Sequence, residues 1–240
     1  MQIRYFQKGF NYSQDGPGNR LVYHLQGCNL RCPWCSNPEG MGIASRETVV
    51  RSAEELANEA ESCRPMMIEG GGVTLTGGEV LLQCDAATEL FVRLHAVGIN
   101  TAIESNLSLP GIGRLLPHTD HVFCDCKHYA PDALRSLGCD PDLYFENLAA
   151  VTHSHKHVTV RIPLIREFNG KEEDIDGFLT LFSRIGGDFS AELLPYHEYG
   201  RDKWRRLGLA YTVSDGFVTG AFTSLFENRL RAAGLDVVRT

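Results

Sequence analysis

Short apolar runs alternate with amphipathic stretches from residue 21 onward, and no other feature of this 240-residue chain constrains its fold as strongly. Strands that alternate with helices form a parallel sheet with right-handed crossover connections. Because six strand-helix units are too few to close an eight-stranded barrel, we predict an α/β fold, a partial (β/α)6 TIM barrel with outer helices. The six predicted strands cover residues 21–25, 73–76, 101–104, 122–127, 158–164 and 192–194.

Helix signals fill the segments between these strands. A capping box at residues 52–55 predicts a helix that runs towards residue 62, and a second helix is expected over residues 85–96. Further helices are expected after Pro141 and after Glu172.

The composition fits one domain with a sizeable core. Hydrophobic residues make up 43% of the chain, so a single domain over residues 1–240 is expected. It ends in a helical tail over about residues 200–240. Four apolar residues at helical spacing predict a core-facing stripe on the last helix: Phe222, Leu225, Phe226 and Leu230.

Charge and hydropathy argue against two kinds of partner. The net charge is −7 and there is no block of lysine or arginine, which disfavours nucleic acid or an anionic membrane as the main partner. No apolar stretch is long enough to span a bilayer, and the first residues are polar rather than typical of a signal peptide. A cytoplasmic location is therefore expected.

Three cysteines, Cys28, Cys32 and Cys35, stand within eight residues in a CxxxCxxC spacing. One loop thus supplies three thiolates, whereas a tetrahedral structural zinc site needs four ligands. An iron-sulfur cluster held by three cysteinates leaves one iron open to an outside ligand, so the cluster can act as a reagent. The spacing favours a cluster. The alternative is a zinc site completed by a histidine, for which the C-terminal half offers no second cysteine pair.

The remaining cysteines and a group of histidines are interpreted without a metal. The histidines at positions 153, 155 and 157 are typical of a solvated helix-to-strand connection. Five cysteines are scattered without a disulfide framework and are expected to be reduced thiols: Cys63, Cys84, Cys124, Cys126 and Cys139.

The loop at residues 26–39, together with residues 70–83, resembles the radical S-adenosylmethionine (SAM) enzymes, and more narrowly the activating enzymes of glycyl radical enzymes. The resemblance covers nearly the whole chain and includes residues 15–18, 125–127 and 193–197. It implies an oxidoreductase with a partial barrel of the radical SAM type. In that family a reduced 4Fe-4S cluster cleaves SAM into methionine and a 5'-deoxyadenosyl radical. The radical then takes a hydrogen atom from a backbone glycine of a partner enzyme under anaerobic conditions.

The resemblance implies that the three cysteines hold the cluster. It also implies that two further motifs bind the adenine and the methionine moiety of SAM. Trp34 matches an aromatic position beside the adenine, and a buried core tryptophan is the alternative. Gly77, Gly78 and Glu79 follow an apolar run and match the motif for the methionine ammonium, with which Glu79 would pair. A strand-to-helix turn with a glutamate at the helix start is the alternative.

Other strand ends carry the remaining candidates. Asp125 and Lys127 share one strand face and would meet the SAM ribose and carboxylate, while Cys124 and Cys126 would face the helices. Glu104 matches an acidic family position, and with Asp125 it suggests a bound monovalent cation. Five more residues complete the set of SAM-binding candidates: Ser36, Ser105, Cys126, Arg161 and His197.

A turn before the first predicted strand carries the candidate for substrate binding. In the family an Asp-Gly-Pro-Gly loop helps to hold the partner's glycine loop, and here it begins at Asp15. Asn19 stands where isoleucine is usual, which affects the identity of the bound loop rather than the chemistry of SAM. A simple turn rich in glycine and proline is the alternative.

The chain has only Cys63 between the cysteine loop and Gly77, so it resembles the family members that carry a single cluster. Such a protein takes its electron from an external one-electron donor such as flavodoxin or ferredoxin. A monomer is expected.

Two other functions stay open: a radical SAM enzyme that acts on a free metabolite or ribosomal peptide, and a non-catalytic zinc-binding protein.

Overall fold

The computed structural model describes residues 1–154 and 157–239, and their strands form one open sheet in the order β3-β1-β2-β4-β5-β6-β7-β8-β9. His155 of the predicted solvated connection lies outside the described residues. The strands are β1 (Gln2–Tyr12), β2 (Asn19–Leu25), β3 (Val49–Ser52), β4 (Gly72–Gly77), β5 (Asn100–Ser105), β6 (His121–Asp125), β7 (His157–Leu164), β8 (Ser190–Pro195) and β9 (Asp236–Val238).

All six predicted strands are confirmed. They are β2 and β4 to β8, which lie side by side in chain order with every neighbouring pair parallel. The sheet does not close on itself. The predicted α/β fold, a partial barrel with helices outside a parallel sheet, is therefore confirmed.

Three strands extend this sheet at its edges and were not predicted. β1 is antiparallel to both β2 and β3, and β9 is parallel to β8. In β1 the neighbouring residues Tyr5 and Phe6 are both buried and the three residues that follow are exposed, so the segment shows no regular alternation. β3 and β9 are too short for a hydrophobic period to be visible.

The predicted helices are also present. The capping box forms at α1, where Ser52 Oγ accepts from Glu55 N at 3.1 Å and Ser52 N donates to the Glu55 carboxylate at 2.7 Å. The helices are α1 (Ala53–Ser62), α2 (Cys84–Ala96), α3 (Ile112–Leu115), α4 (Pro131–Ser136), α5 (Pro141–Thr152), α6 (Arg166–Asn169), α7 (Glu172–Ile185), α8 (Arg201–Arg206) and α9 (Gly220–Ala232). Within the described ranges, no helix is long and apolar enough to cross a bilayer.

The tail beyond residue 200 packs back on the barrel. Phe226 and Leu230 of α9 are fully buried, and Phe222 and Leu225 pack partly against the same core, as the predicted stripe requires. The tail also contains β9, so it is not wholly helical.

A histidine pair at the amino ends of β6 and β7 makes the stability of the fold depend on pH. The rings of His121 and His157 stack with centroids 4.9 Å apart. The pKa of His121 is lowered to about 4, first by burial and then by Arg20 and His157, against the opposing charge of Asp120. The folded state therefore binds a proton here less readily than the unfolded chain does.

We expect the free energy of unfolding to decrease as the pH falls from about 6.5, the ordinary histidine value, towards 4. Since the His121 ring is only partly buried, His121→Gln is expected to remove about 1 kcal/mol of that decrease. Urea unfolding at about pH 7 and pH 5 measures the difference. A decrease of equal size in the variant and the native chain would contradict this assignment.

Candidate functional site

An open cavity lies at the carboxyl ends of the parallel strands, the edge at which α/β proteins usually bind ligands. Its walls come from the loop after β2 and from the ends of β4, β5, β6, β7 and β8. Thirteen residues predicted from the sequence line it: Cys28, Cys32, Trp34, Cys35, Ser36, Gly77, Gly78, Glu79, Glu104, Ser105, Asp125, Lys127 and His197. Three predicted residues, Asp15, Cys126 and Arg161, are not among its lining residues.

The loop that carries the three cysteines is tied together by a buried glutamine. Gln26 is fully buried, and its amide nitrogen donates to Glu39 O at 2.9 Å and to Gly42 O at 2.6 Å. The main chain turns between the last two cysteines, where Cys35 N donates to Cys32 O at 3.1 Å. These bonds hold the loop in a shape that brings all three thiols to one cavity.

The three thiols lie in a protected environment. Burial raises the pKa of Cys28, Cys32 and Cys35 to about 11 each, and the nearby ammonium group of Lys127 opposes that rise. Asn37 N donates to Cys35 Sγ at 3.4 Å. Because a metal binds the thiolate rather than the thiol, loading of the site releases protons.

The donor set fits an iron-sulfur cluster. Over the residues that the structure describes, no three His, Cys, Asp or Glu side chains converge closely enough to hold a single metal ion. A multinuclear cluster takes one thiolate per iron, so its sulfur ligands need not converge on one point. Three thiols that face a shared open cavity meet that requirement.

Gly77 and Gly78 allow the end of β4 to lie against the start of the cysteine loop. Gly77 has a φ of +90°, and Gly78 N donates to Leu25 O at 2.9 Å. A Cβ atom at Gly78 would lie 2.1 Å from Gly27 O. The sequence suggested that these glycines let the backbone approach a ligand. In the structure they also let two segments of the chain approach each other.

We expect Gly78→Ala to lower the free energy of unfolding by about 2–3 kcal/mol, because the added methyl group has no space beside the cysteine loop. Gly113→Ala in α3 is the matched control, since among the described residues no atom from outside its own helix and its chain neighbours lies within 4 Å of the added methyl group. The control should change stability by less than about 1 kcal/mol, in the stabilising direction. Urea unfolding measures both, and similar small effects would contradict the close approach.

Glu79 is fully buried and joins β4 to the end of β5. One carboxylate oxygen accepts from Leu81 N at 2.9 Å and Ser105 Oγ at 2.7 Å, and the other accepts from Asn106 N at 2.8 Å. Burial raises its pKa to about 7, although these hydrogen bonds oppose the rise. Glu79 also caps the short 3-10 helix Val80–Gln83, which was the alternative interpretation. Its pairing with a SAM ammonium stays a prediction.

Asn106 is a cavity residue that the sequence analysis missed. Its side-chain amide nitrogen lies 3.9 Å from Cys28 Sγ and donates to Asn29 Oδ1 at 3.2 Å. Its side-chain oxygen accepts from Ser108 N at 2.9 Å. A polar run of Glu, Ser and Asn at the end of β5 was the available signal, because strand ends at this edge face the cavity.

Asp125 and Lys127 form an ion pair in the cavity wall, with Lys127 Nζ 2.9 Å from an Asp125 carboxylate oxygen. The strand ends at Asp125, two residues earlier than predicted. Cys124 and Cys126 are fully buried on the opposite side, where the Tyr144 hydroxyl of α5 lies beside Cys126. The Cys126 side chain therefore lies on the buried side, as the strand period predicts, and its contact with SAM stays a prediction.

Arg161 braces the barrel interior beneath the cavity. Its guanidinium group pairs with Glu104 and with Glu192, the latter at 2.8 Å, and donates to Gln14 O at 2.7 Å. It also lies 4.1 Å above the ring centre of Phe123. These contacts give Arg161 a structural role, and its predicted contact with SAM stays a prediction.

The carboxylates proposed for a monovalent cation both have cationic partners. Glu104 pairs with Arg161 and also accepts from the Thr76 hydroxyl, while Asp125 pairs with Lys127. The negative charge that motivated the cation is thus largely balanced by the chain itself. The cation stays a prediction.

Asp15 lies in the turn between β1 and β2, at the amino end of the sheet. Asp15 O accepts from Thr74 Oγ1 at 2.8 Å, and its carboxylate accepts from the Asn11 amide. The turn therefore precedes the first parallel strand but not the first strand of the chain. It reaches the cavity wall indirectly, through Gln14 and Arg161.

Two aromatic groups border the cavity. Trp34 packs against Phe168 with ring centres 4.7 Å apart, and His197 stacks on Tyr199 at 4.3 Å. Burial lowers the pKa of His197. Trp34 is therefore part core and part cavity wall, so the two interpretations of this residue are compatible.

Comparisons with known proteins agree with this geometry. Residues 22–179 match the model of the Radical SAM superfamily. The chain is 32% identical over 213 residues to a pyruvate formate-lyase-activating enzyme of Staphylococcus aureus, covering 84% of each chain.

Solved structures agree in fold. A domain of pyruvate-formate lyase-activating enzyme from Bacteroides vulgatus superposes with a TM-score of 0.58 at 22% identity, over 70% of this chain and 98% of that one. A radical SAM methyltransferase from Sphaerobacter thermophilus gives a TM-score of 0.66 at 17% identity, over 96% and 72%. These identities support the fold alone.

Proposed function

The chain belongs to the radical SAM superfamily, and on this premise we propose that it is an activating enzyme that removes a hydrogen atom from a backbone glycine of a partner enzyme. One observation carries the proposal: three thiols from one loop share a cavity with the Gly77–Glu79 segment and the Asp125 and Lys127 ion pair. The similarity to pyruvate formate-lyase-activating enzymes over most of both chains supports the same conclusion.

Cys28, Cys32 and Cys35 are the residues that would hold the 4Fe-4S cluster of the family. When reduced, such a cluster would supply the electron for cleavage of SAM into methionine and a 5'-deoxyadenosyl radical. Asn37 N donates to Cys35 Sγ, which would stabilise a thiolate at this position.

The other cavity residues would bind and orient SAM. The Lys127 ammonium presents positive charge to a carboxylate, and the Asp125 carboxylate accepts hydrogen bonds from hydroxyl groups. Trp34 offers an aromatic face at the cavity border for the adenine. Glu79 holds Ser105 and Asn106 in place, so its main contribution is to position neighbouring groups.

The incomplete barrel supports a large substrate. The sheet does not close into a complete barrel, and the cavity at its carboxyl edge is open to the surface. A loop of a folded partner could enter there, which agrees with a glycyl radical enzyme as the partner.

The test is anaerobic reconstitution with iron and sulfide, reduction with dithionite and incubation with SAM and pyruvate formate-lyase. We expect 5'-deoxyadenosine by chromatography and a glycyl radical signal by electron paramagnetic resonance. Cleavage of SAM without a glycyl radical would favour the rival, a radical SAM enzyme that acts on a metabolite or peptide. No cleavage by a chain that carries zinc would contradict the proposal.

A further inference from the structure

The short helix α8 lies directly on the cysteine loop. Trp204 Nε1 donates to Cys35 O at 2.9 Å, and Lys203 Nζ lies 3.0 Å from Asn37 Oδ1. Lys203 also pairs with Glu39 at 2.8 Å. The start of the helix is equally close, because a Cβ atom at Gly200 would lie 2.5 Å from Cys35 O. One side of α8 is thus fixed to the loop that would hold the cluster.

The other side of α8 is basic. Three of the six residues of α8 are exposed arginines, Arg201, Arg205 and Arg206, in a chain whose net charge is −7. Arg205 has 80% of its side chain exposed and pairs with Asp202 at 3.1 Å, Arg201 pairs with Glu198 at 2.8 Å, and Arg206 is also exposed. Arg31, on the cysteine loop itself, is exposed as well and donates to Cys28 O at 2.7 Å. With Asp202 and Glu198 counted, positive charge still exceeds negative charge beside the thiols.

Exposed apolar groups adjoin these arginines. Tyr199 is 81% exposed, Leu207 46% and Leu209 44%. A protein docking surface commonly combines apolar contact with a charged border, and arginine and tyrosine are enriched there. We define the α8 face as Tyr199, Arg201, Asp202, Arg205, Arg206, Leu207 and Leu209.

We propose that the α8 face is the docking surface for an acidic one-electron carrier protein. This inference rests on the proposed function, which requires one electron per SAM cleaved. The carrier is oxidised by one electron, the cluster is reduced by one electron, and no atom is transferred. The Trp204 contact with Cys35 places the docked carrier close to a cluster ligand. The arginines of the α8 face attract an acidic protein, because opposite charges on two proteins speed their association.

The test uses the reconstituted holoenzyme with an acidic 2Fe-2S ferredoxin as the probe. The paired change Arg205→Glu with Arg206→Glu is compared with Arg93→Glu plus Arg184→Glu, which alters net charge equally on α2 and α7. Titration calorimetry measures ferredoxin binding, and stopped-flow absorbance measures cluster reduction. We expect the α8 pair to weaken binding and slow reduction by about tenfold at low ionic strength, with a smaller effect in high salt.

Two further results separate this inference from the proposed function. Reduction by dithionite should be unchanged in the α8 variant, because a small reductant needs no docking surface. Leu207→Asn with Leu209→Asn should weaken ferredoxin binding at both salt concentrations. Native-like ferredoxin binding in the α8 variants, or an equal loss in the control pair, would overturn the docking assignment. Failure of SAM cleavage with dithionite would instead refute the proposed function and leave the binding result interpretable.

Discussion

Cys32→Ala is expected to abolish formation of 5'-deoxyadenosine. Cys32 is buried between the other two cysteines of the loop, so its loss removes one of three thiolate ligands from the cavity wall. The fold should survive, since alanine replaces a small buried side chain. We expect the reconstituted variant to contain much less iron and sulfide than the native chain, and to give no SAM cleavage after dithionite reduction.

Cys63→Ala is the control for this change. Cys63 lies at the end of α1, and no cavity residue is near it in the sequence. The control should keep native iron content and native SAM cleavage. Circular dichroism checks that both variants are folded. Native cleavage in the Cys32 variant would contradict the assignment of this cysteine to the cluster.

Glu79→Ala is expected to lower the free energy of unfolding by about 3–5 kcal/mol. The carboxylate accepts three hydrogen bonds while fully buried, so its removal leaves the donors Leu81 N, Asn106 N and Ser105 Oγ without a partner. Asn106 also approaches Cys28 Sγ, so the change should disturb the cluster site. Urea unfolding and the iron content after reconstitution measure the two effects.

Glu79→Gln separates the hydrogen bonds from the charge. The amide keeps the size of the side chain and one accepting oxygen, so we expect a smaller loss of about 1–2 kcal/mol. An alanine variant as stable as the native chain would show that the three hydrogen bonds do not form. If SAM binding is lost in the glutamine variant while stability is kept, the predicted contact with the SAM ammonium gains support.

Much of the fold could be predicted because the parallel strands are buried on both faces. Their apolar runs, such as the one ending at Gly77, are visible in any sequence window. β1 was missed because many of its side chains are exposed, and β9 because three residues show no period. Edge strands are defined by pairing with distant segments, which the local pattern does not reveal.

The candidate site, like the fold, could be predicted from the sequence only in part. The carboxyl ends of parallel strands meet at one edge of a sheet. Residues that follow strands, such as Lys127, could therefore be assigned to the cavity from the sequence. The partner of a buried charge could not be predicted. Arg161 is held by Glu192 and by Gln14, which lies 147 positions away, and no local sequence pattern indicates these two partners.

The origin of the hydrogen atom tests the central claim most directly. Pyruvate formate-lyase is prepared with glycine deuterated at the α-carbon and incubated anaerobically with the reduced holoenzyme and SAM. Mass spectrometry then determines the deuterium content of the 5'-deoxyadenosine formed. Removal of hydrogen from a backbone glycine predicts 5'-deoxyadenosine that is one mass unit heavier, together with a glycyl radical in the partner. Unlabelled 5'-deoxyadenosine with no glycyl radical would contradict the account.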